Sequence, residues 1–156
     1  MKDVIIVTIS NNIKNEIQAR FQECIKKSMP KCSYDILFQS NSSRMDKNKF
    51  NKSILLNDII KKIIRENKYK VLIQSDIDLI IPPYIIDKTF EIAQEKRLCF
   101  YNNHRRIDKD LLPPLPNNYD KIEWEYFFKT FKSEDAAGCW NGMSLESWKM
   151  SGGYNE

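Results

Sequence analysis

"YKVLIQSDIDLIIPPYII", residues 69–86, decides how this chain is read. A run of Val, Leu and Ile of the kind that buries itself in a sheet is interrupted by two carboxylates, Asp76 and Asp78. A buried carboxylate is costly enough that it stays ionised only beside a cation. In an extended segment alternate residues point the same way, so Asp76 and Asp78 can converge on one ion while Ile77 faces the core. Hard carboxylate oxygens suit Mg²⁺ or Mn²⁺, which keep coordination positions open for phosphate oxygens. With 11 Asp in 156 residues, about 0.8 D-x-D patterns arise by chance, so context has to separate signal from noise. Asp108-Lys-Asp110, in a polar loop, is a second such pattern and is assigned nothing. The plain alternative for Asp76 and Asp78 is a solvated strand end carrying two surface acids.

Around this stretch strand and helix signals alternate. "DVIIVTI", residues 3–9, is short and β-branched, and the segment after it places Ile13, Ile17, Phe21, Cys24 and Ile25 on one helical face. "YDILFQS" reads as a second strand and "NSSRMDKNKF" as a polar loop, after which Leu55, Leu56, Ile59, Ile60, Ile63 and Ile64 form an apolar stripe. "YKVLIQS" is the third strand, "PPYIIDKTFEIAQEK" a helix with a Pro-favoured start, and "LCFYNN" a further strand. The Pro-rich "DLLPPLPNNYD" reads as a surface loop. The final "GCWNGMSLESWKMSGGYNE" reads as a strand, a helix capped by Ser144, and a stop at Gly152 and Gly153. The expected fold is α/β: a single domain over 1–156, with a Rossmann-like open, mostly parallel sheet, helices on both faces, and ligands at the carboxyl ends of the strands.

Composition agrees with one globular unit: 156 residues, 42% hydrophobic and 29% charged. No apolar run reaches the roughly 20 residues of a spanning helix, and the N-terminal run shows no cleavage site, so a cytoplasmic protein is expected. The net charge of +4 permits an anionic partner without requiring one, and no nucleic-acid partner is expected. Cys24, Cys32, Cys99 and Cys139 form no C-x-x-C pair and read as reduced, mostly buried thiols. His104 reads as an exposed loop histidine, with Arg105 and Arg106 in the same solvated basic loop. All four glycines lie in the last fifth of the chain, which excludes a G-x-G-x-x-G turn after the first strand and a P-loop anywhere. If this sheet binds a nucleotide, a metal must manage the diphosphate.

Taken together, a first strand ending in Thr8, a helix carrying "NKSILLNDII", a strand ending in "QSDIDLIIPP" and the late "GCWNGMSLESWKMSGGYNE" resemble the glycosyltransferases of the A-type fold. The likeness is to inverting family 2 and galactosyltransferase-like members and spans almost the whole chain. Its most specific part is D-x-D followed by the late block, where that family has G-x-N-x-x-M and then G-G-F-D-E.

The resemblance implies a nucleoside-diphosphate sugar as donor, a UDP-sugar in the commonest case, a carbohydrate or glycan hydroxyl as acceptor, and Mn²⁺ or Mg²⁺ bound through Asp76 and Asp78. Thr8 and Ser10 would line the nucleotide cleft, and Lys52 and Asn57 would lie near the base or ribose. Asp76 would meet the ribose or the ion's water shell, and Asp78 the ion directly. Trp140 and the backbone at Gly138 and Gly153 would shape the sugar pocket. Where the family has an Asp after the second strand to recognise uracil, this chain reads "FQSNSS", so Gln39 or Asn41 would supply the acceptor. The chain stops with "GGYNE", whose last residue is Glu156. Either Glu156 serves as the catalytic base or the domain is truncated. Glu134 and Asp135 read as loop acids, and Glu146 as a first-turn helix carboxylate.

Two other classes compete. A haloacid-dehalogenase-type phosphatase also uses D-x-D, but on its first strand and with Thr or Val where this chain has Ile80. A non-catalytic or truncated sugar-nucleotide-binding module is the other alternative. Thr8 as a plain strand former, Asn57 as a helix-face polar residue and Trp140 as a core aromatic are the corresponding structural readings.

Overall fold

The computed structural model of the protein describes residues 1–10, 15–40, 52–96, 98–100, 103–105, 119–126, 133–135 and 139–152. The chain begins with β1 (Lys2–Ser10), α1 (Asn15–Lys27), β2 (Tyr34–Ser40), α2 (Lys52–Glu66) and β3 (Tyr69–Ser75). It continues through α3 (Ile85–Lys96), β4 (Leu98–Phe100), β5 (Asn103–Arg105), a 3₁₀ turn at Tyr119–Lys121 and β6 (Ser133–Asp135), and ends in β7 (Trp140–Ser144) and α4 (Leu145–Ser151).

The main sheet has the order β2-β1-β3-β7-β4. β1 pairs parallel with both β2 and β3, placing Thr8 beside Phe38 on one side and Ser75 on the other. β7 runs antiparallel to both β3 and β4, so the sheet is mixed rather than Rossmann-like and parallel. β4 therefore points the same way as β1–β3, with one reversed strand inserted. Strand direction leaves no trace in a β-branched pattern, which reads alike in both senses.

Helices cover both faces, as the consecutive burial of residues 4–9 in β1 and 71–75 in β3 requires. On one face Val4, Ile6, Val71, Ile73 and Trp140 pack with Phe21 and Ile25 of α1 and with Ile86 and Ala93 of α3. On the other, Ile5, Val7, Ile9 and Leu72 meet Leu56, Ile59, Ile60 and Ile63 of α2 and Leu145 and Trp148 of α4. The stripe expected on α2 is thus its buried face. Asp87, in the first turn of α3, accepts from the main-chain N–H groups of Lys31 and Cys32, each at 3.0 Å. That anchors the start of α3 below β2, while its end leads to β4 on the far side of the sheet.

The end of the chain follows its sequence signals. Ser144 Oγ accepts from Ser147 N at 3.2 Å as N-cap, and Gly152 closes α4 with φ 76°, a conformation that costs other residues more than glycine. Three expectations change. Asn103–Arg105, including His104, and Ser133–Asp135, including Glu134, are paired strands rather than loops. Cross-strand pairing 30 residues apart has no local signature. Tyr119, at the end of the supposed surface loop, is buried with Cys24 and Ile122 and donates its hydroxyl to the Ile81 carbonyl. No helix among the described residues is long and apolar enough to cross a membrane.

Candidate functional site

β1, β2 and β3 end side by side, each in a serine: Ser10, Ser40 and Ser75. After β1 the chain leaves toward the β2 edge, and after β3 toward the β4 edge. The crevice between the carboxyl ends of β1 and β3 is therefore a topological switch point, where open α/β sheets receive ligands. Asp76 follows β3 at that crevice.

The D-x-D segment leaves β3 through a turn at Ile77 and Asp78. Ile77, Leu79 and Ile81 pack onto the core beneath α1 and α3, and Ile80 meets the Tyr119 cluster. Burial of these residues holds the segment down and leaves Asp78 exposed. Asp76 is fixed through its main chain: its N–H donates to the Cys139 carbonyl at 2.9 Å, and Ser75 Oγ donates to its carbonyl at 2.9 Å. β7 begins one residue after Cys139, so the reversed strand is what brings the late block to the D-x-D.

The cation asked for by the sequence is Lys52. Its Nζ lies 2.6 Å from Asp76 Oδ1, with the two side chains 39% and 32% exposed. Lys52 opens α2, which has no acidic residue in its first turn. A helix N-terminus disfavours a cation, and Asp76 supplies the compensating charge from elsewhere in the chain. The Cys139 thiol shares this environment: burial raises its pKa first, then the charge and hydrogen bond of Asp76, with Lys52 pulling the other way and Asp78 adding to the rise. Lys52, Asp76, Asp78 and Cys139 thus form one cluster. Sequence reasoning missed Cys139, whose only signal was its place in the late block. Of the other thiols, Cys24 is buried with a raised pKa and Cys32 is pushed up to about 12 by burial and Asp87, so neither is a ready nucleophile.

The other predicted residues scatter. Thr8 is fully buried at the end of β1, and its Oγ1 has no hydrogen-bond partner among the described residues. Gln39 is half-buried on the β2 edge and donates to the Ser40 carbonyl at 3.0 Å. Asn57 is buried on the sheet-facing side of α2. Trp140 starts β7 at the cleft end, yet its ring is only 3% exposed and its Nε1 donates to Thr89 Oγ1 at 2.8 Å. It is a core residue on the α3 face rather than a wall of an open pocket, because alternation along β7 turns it inward. Beside it, on the opposite face, Asn141 Nδ2 donates to Gln74 Oε1 at 2.8 Å while Asn141 Oδ1 is unpartnered among the described residues. Asn41, Gly138, Gly153 and Glu156 lie outside the described residues, as do the Asp108-Lys-Asp110 control and Arg106; of Ser10 only the backbone is described.

Among the described residues no group of three or more His, Cys, Asp or Glu converges as a metal cage. The turn at Ile77 and Asp78 replaces the extended alternation expected to converge the two carboxylates. The donor left open to a hard divalent ion is therefore Asp78, which fits an ion of the kind held by one or two carboxylates plus substrate phosphates. Asp78 is exposed with no ion pair among the described residues, and Asp76, Asp78 and Lys52 together leave an excess of one negative charge.

No protein-family model matches the chain, and no curated protein matches it. Among solved structures, the crystal structure of A197 from STIV is similar over 92% of this chain and 67% of its own, at 13% identity and a TM-score of 0.45. A likeness of that degree says nothing about chemistry, which rests on this chain's own residues.

Proposed function

We propose that the chain is a metal-dependent glycosyltransferase domain of the A-type fold, moving a sugar from a nucleoside-diphosphate sugar to an acceptor hydroxyl with inversion. The observation that carries this reading is the placement of D-x-D at the β1/β3 switch point, packed from below, with a lysine delivered to it by α2. Asp78 would hold Mn²⁺ or Mg²⁺ and Asp76 would meet the donor's ribose or the ion's water shell. The bound ion supplies charge stabilisation for the departing diphosphate. A carboxylate, Glu156 in this reading, takes the acceptor hydroxyl's proton as that oxygen attacks the anomeric carbon. Lys52, beside Asp76, would supply a cation to the donor phosphates in this reading. The dehalogenase-type alternative is disfavoured because the motif follows the third strand rather than the first.

The test is a thermal-shift screen of UDP-, GDP- and ADP-sugars with and without Mn²⁺, followed by an assay for donor hydrolysis. Metal-dependent stabilisation by one nucleotide class supports the reading; no shift with any donor, or phosphate release from a simple phosphomonoester, would overturn it. A non-transferring nucleotide-sugar-binding module is favoured by one observation, that Asp76 is paired with Lys52 at 2.6 Å. Stabilisation without hydrolysis or transfer would select it.

A further inference from the structure

We infer that Lys52 is a resident cation on Asp76 which a divalent ion and a diphosphate displace together, so that each ligand binds weakly alone and tightly with the other. This rests on the metal-binding reading of Asp76 and Asp78 and extends it to how the site fills.

The Lys52–Asp76 contact lies at the mouth of the site, both side chains being about one-third exposed, so exchanging partners does not strand a desolvated charge. Asp76 is held independently of Lys52, by the Cys139 carbonyl on its N–H, by Ser75 Oγ on its carbonyl, and by the Cys139 thiol beside its carboxylate. The carboxylate therefore keeps its place when the lysine leaves. Lys52, in contrast, carries its ammonium on a flexible four-carbon stem at the first position of α2 and can swing aside without moving the helix.

Charge counting then gives the coupling. Two carboxylates and one ammonium sum to −1. Adding a divalent ion alone leaves the cluster at +1, with the lysine repelling the newcomer. Adding a diphosphate alone sets it against Asp76 and Asp78. With both present the carboxylates face the ion, and the freed ammonium faces phosphate oxygens. Two ligands that each relieve the other's repulsion bind with positive, reciprocal coupling.

The experiment titrates Mn²⁺ alone into the full chain by electron paramagnetic resonance, then UDP, GDP and ADP at saturating Mn²⁺ by calorimetry, for the natural protein and Lys52→Met. Removing the cation that competes with the ion for Asp76 should tighten Mn²⁺ alone by roughly tenfold or more. Losing a charge-assisted contact should weaken the diphosphate that binds best roughly tenfold. Lys52→Arg keeps the charge and should hold both affinities within about threefold. A purely structural lysine would move both affinities in the same direction, and that result overturns the inference, as does an unchanged Mn²⁺ affinity in Lys52→Met while the natural protein binds the ion. If the natural protein binds no Mn²⁺ with or without a diphosphate, the metal-site reading falls and the inference falls with it. Should Lys52→Met unfold, Lys52→Gln is read in the same way.

Discussion

Gly142→Ala tests the packing that holds the reversed strand, and through it the site. Gly142 lies in β7 opposite Ile73, and a Cβ added there would come within 2.2 Å of Thr89 Cγ2 on α3. Thr89 is fully buried and cannot turn away freely. Its Oγ1 accepts from Trp140 Nε1 at 2.8 Å and donates to the Ile85 carbonyl at 2.7 Å. Overpacking of this kind costs about 1–3 kcal/mol, and a rotation that orphans the buried indole N–H costs a further 1–3 kcal/mol or so. The smaller conformational entropy of an unfolded chain with Ala returns about 0.4–1 kcal/mol. The net expectation is a loss of about 1–5 kcal/mol, read as a lower urea midpoint at unchanged m-value. Thr89→Ser removes the clashing methyl while keeping both hydrogen bonds, at about 0.5–1.5 kcal/mol for the lost methyl. Gly142→Ala with Thr89→Ser should then be no less stable than Thr89→Ser alone, a coupling that only direct contact produces. A neutral Gly142→Ala, or a double variant as unstable as the sum of the singles, would refute the packing argument. Because Cys139, next to Trp140, accepts the Asp76 N–H, the single variant should also weaken Mn²⁺ binding and the double variant restore it.

Asp78→Ala should abolish the metal dependence of nucleoside-diphosphate binding with the fold intact, whereas Asp108→Ala should change nothing; equal losses in a calorimetric titration would sink the D-x-D assignment. Glu156→Gln should leave donor binding unchanged and lower turnover roughly 10²–10⁴-fold, as measured by product formation; unchanged turnover places the base elsewhere. Asp3 has its pKa lowered from 3.8 to about 2, mainly by Lys70 and then by the Ser33 N–H and hydroxyl, so the unfolded chain takes up its proton first as pH falls. Its contribution is complete above about pH 4 and is lost toward pH 2, so Asp3→Asn should flatten the acid limb of stability against pH in that window. Gly152→Ala, at φ 76° with no atom within 4 Å of the added Cβ, should cost about 1 kcal/mol through backbone strain alone; a larger loss would point to contacts beyond the helix stop.

Much of this molecule is written locally. The apolar runs of β1 and β3, the Leu56–Ile63 stripe of α2, the Ser144 cap and the Gly152 stop each act through residues within a turn or two of one another, so spacing and residue type sufficed to find them. The position of D-x-D just past the third strand belongs to the same class. What the tertiary structure decided are relations between segments: that β7 runs backward between β3 and β4, that Lys52 reaches Asp76 across 24 residues, and that the Cys139 carbonyl takes the Asp76 N–H. A hydrophobic pattern specifies which face is buried but neither the direction of a strand nor its neighbours. A carboxylate's need for a cation likewise does not name the residue that supplies it. Those choices are made by which arrangement buries both faces of the sheet at once, and only the folded chain brings the charges that must answer one another within reach.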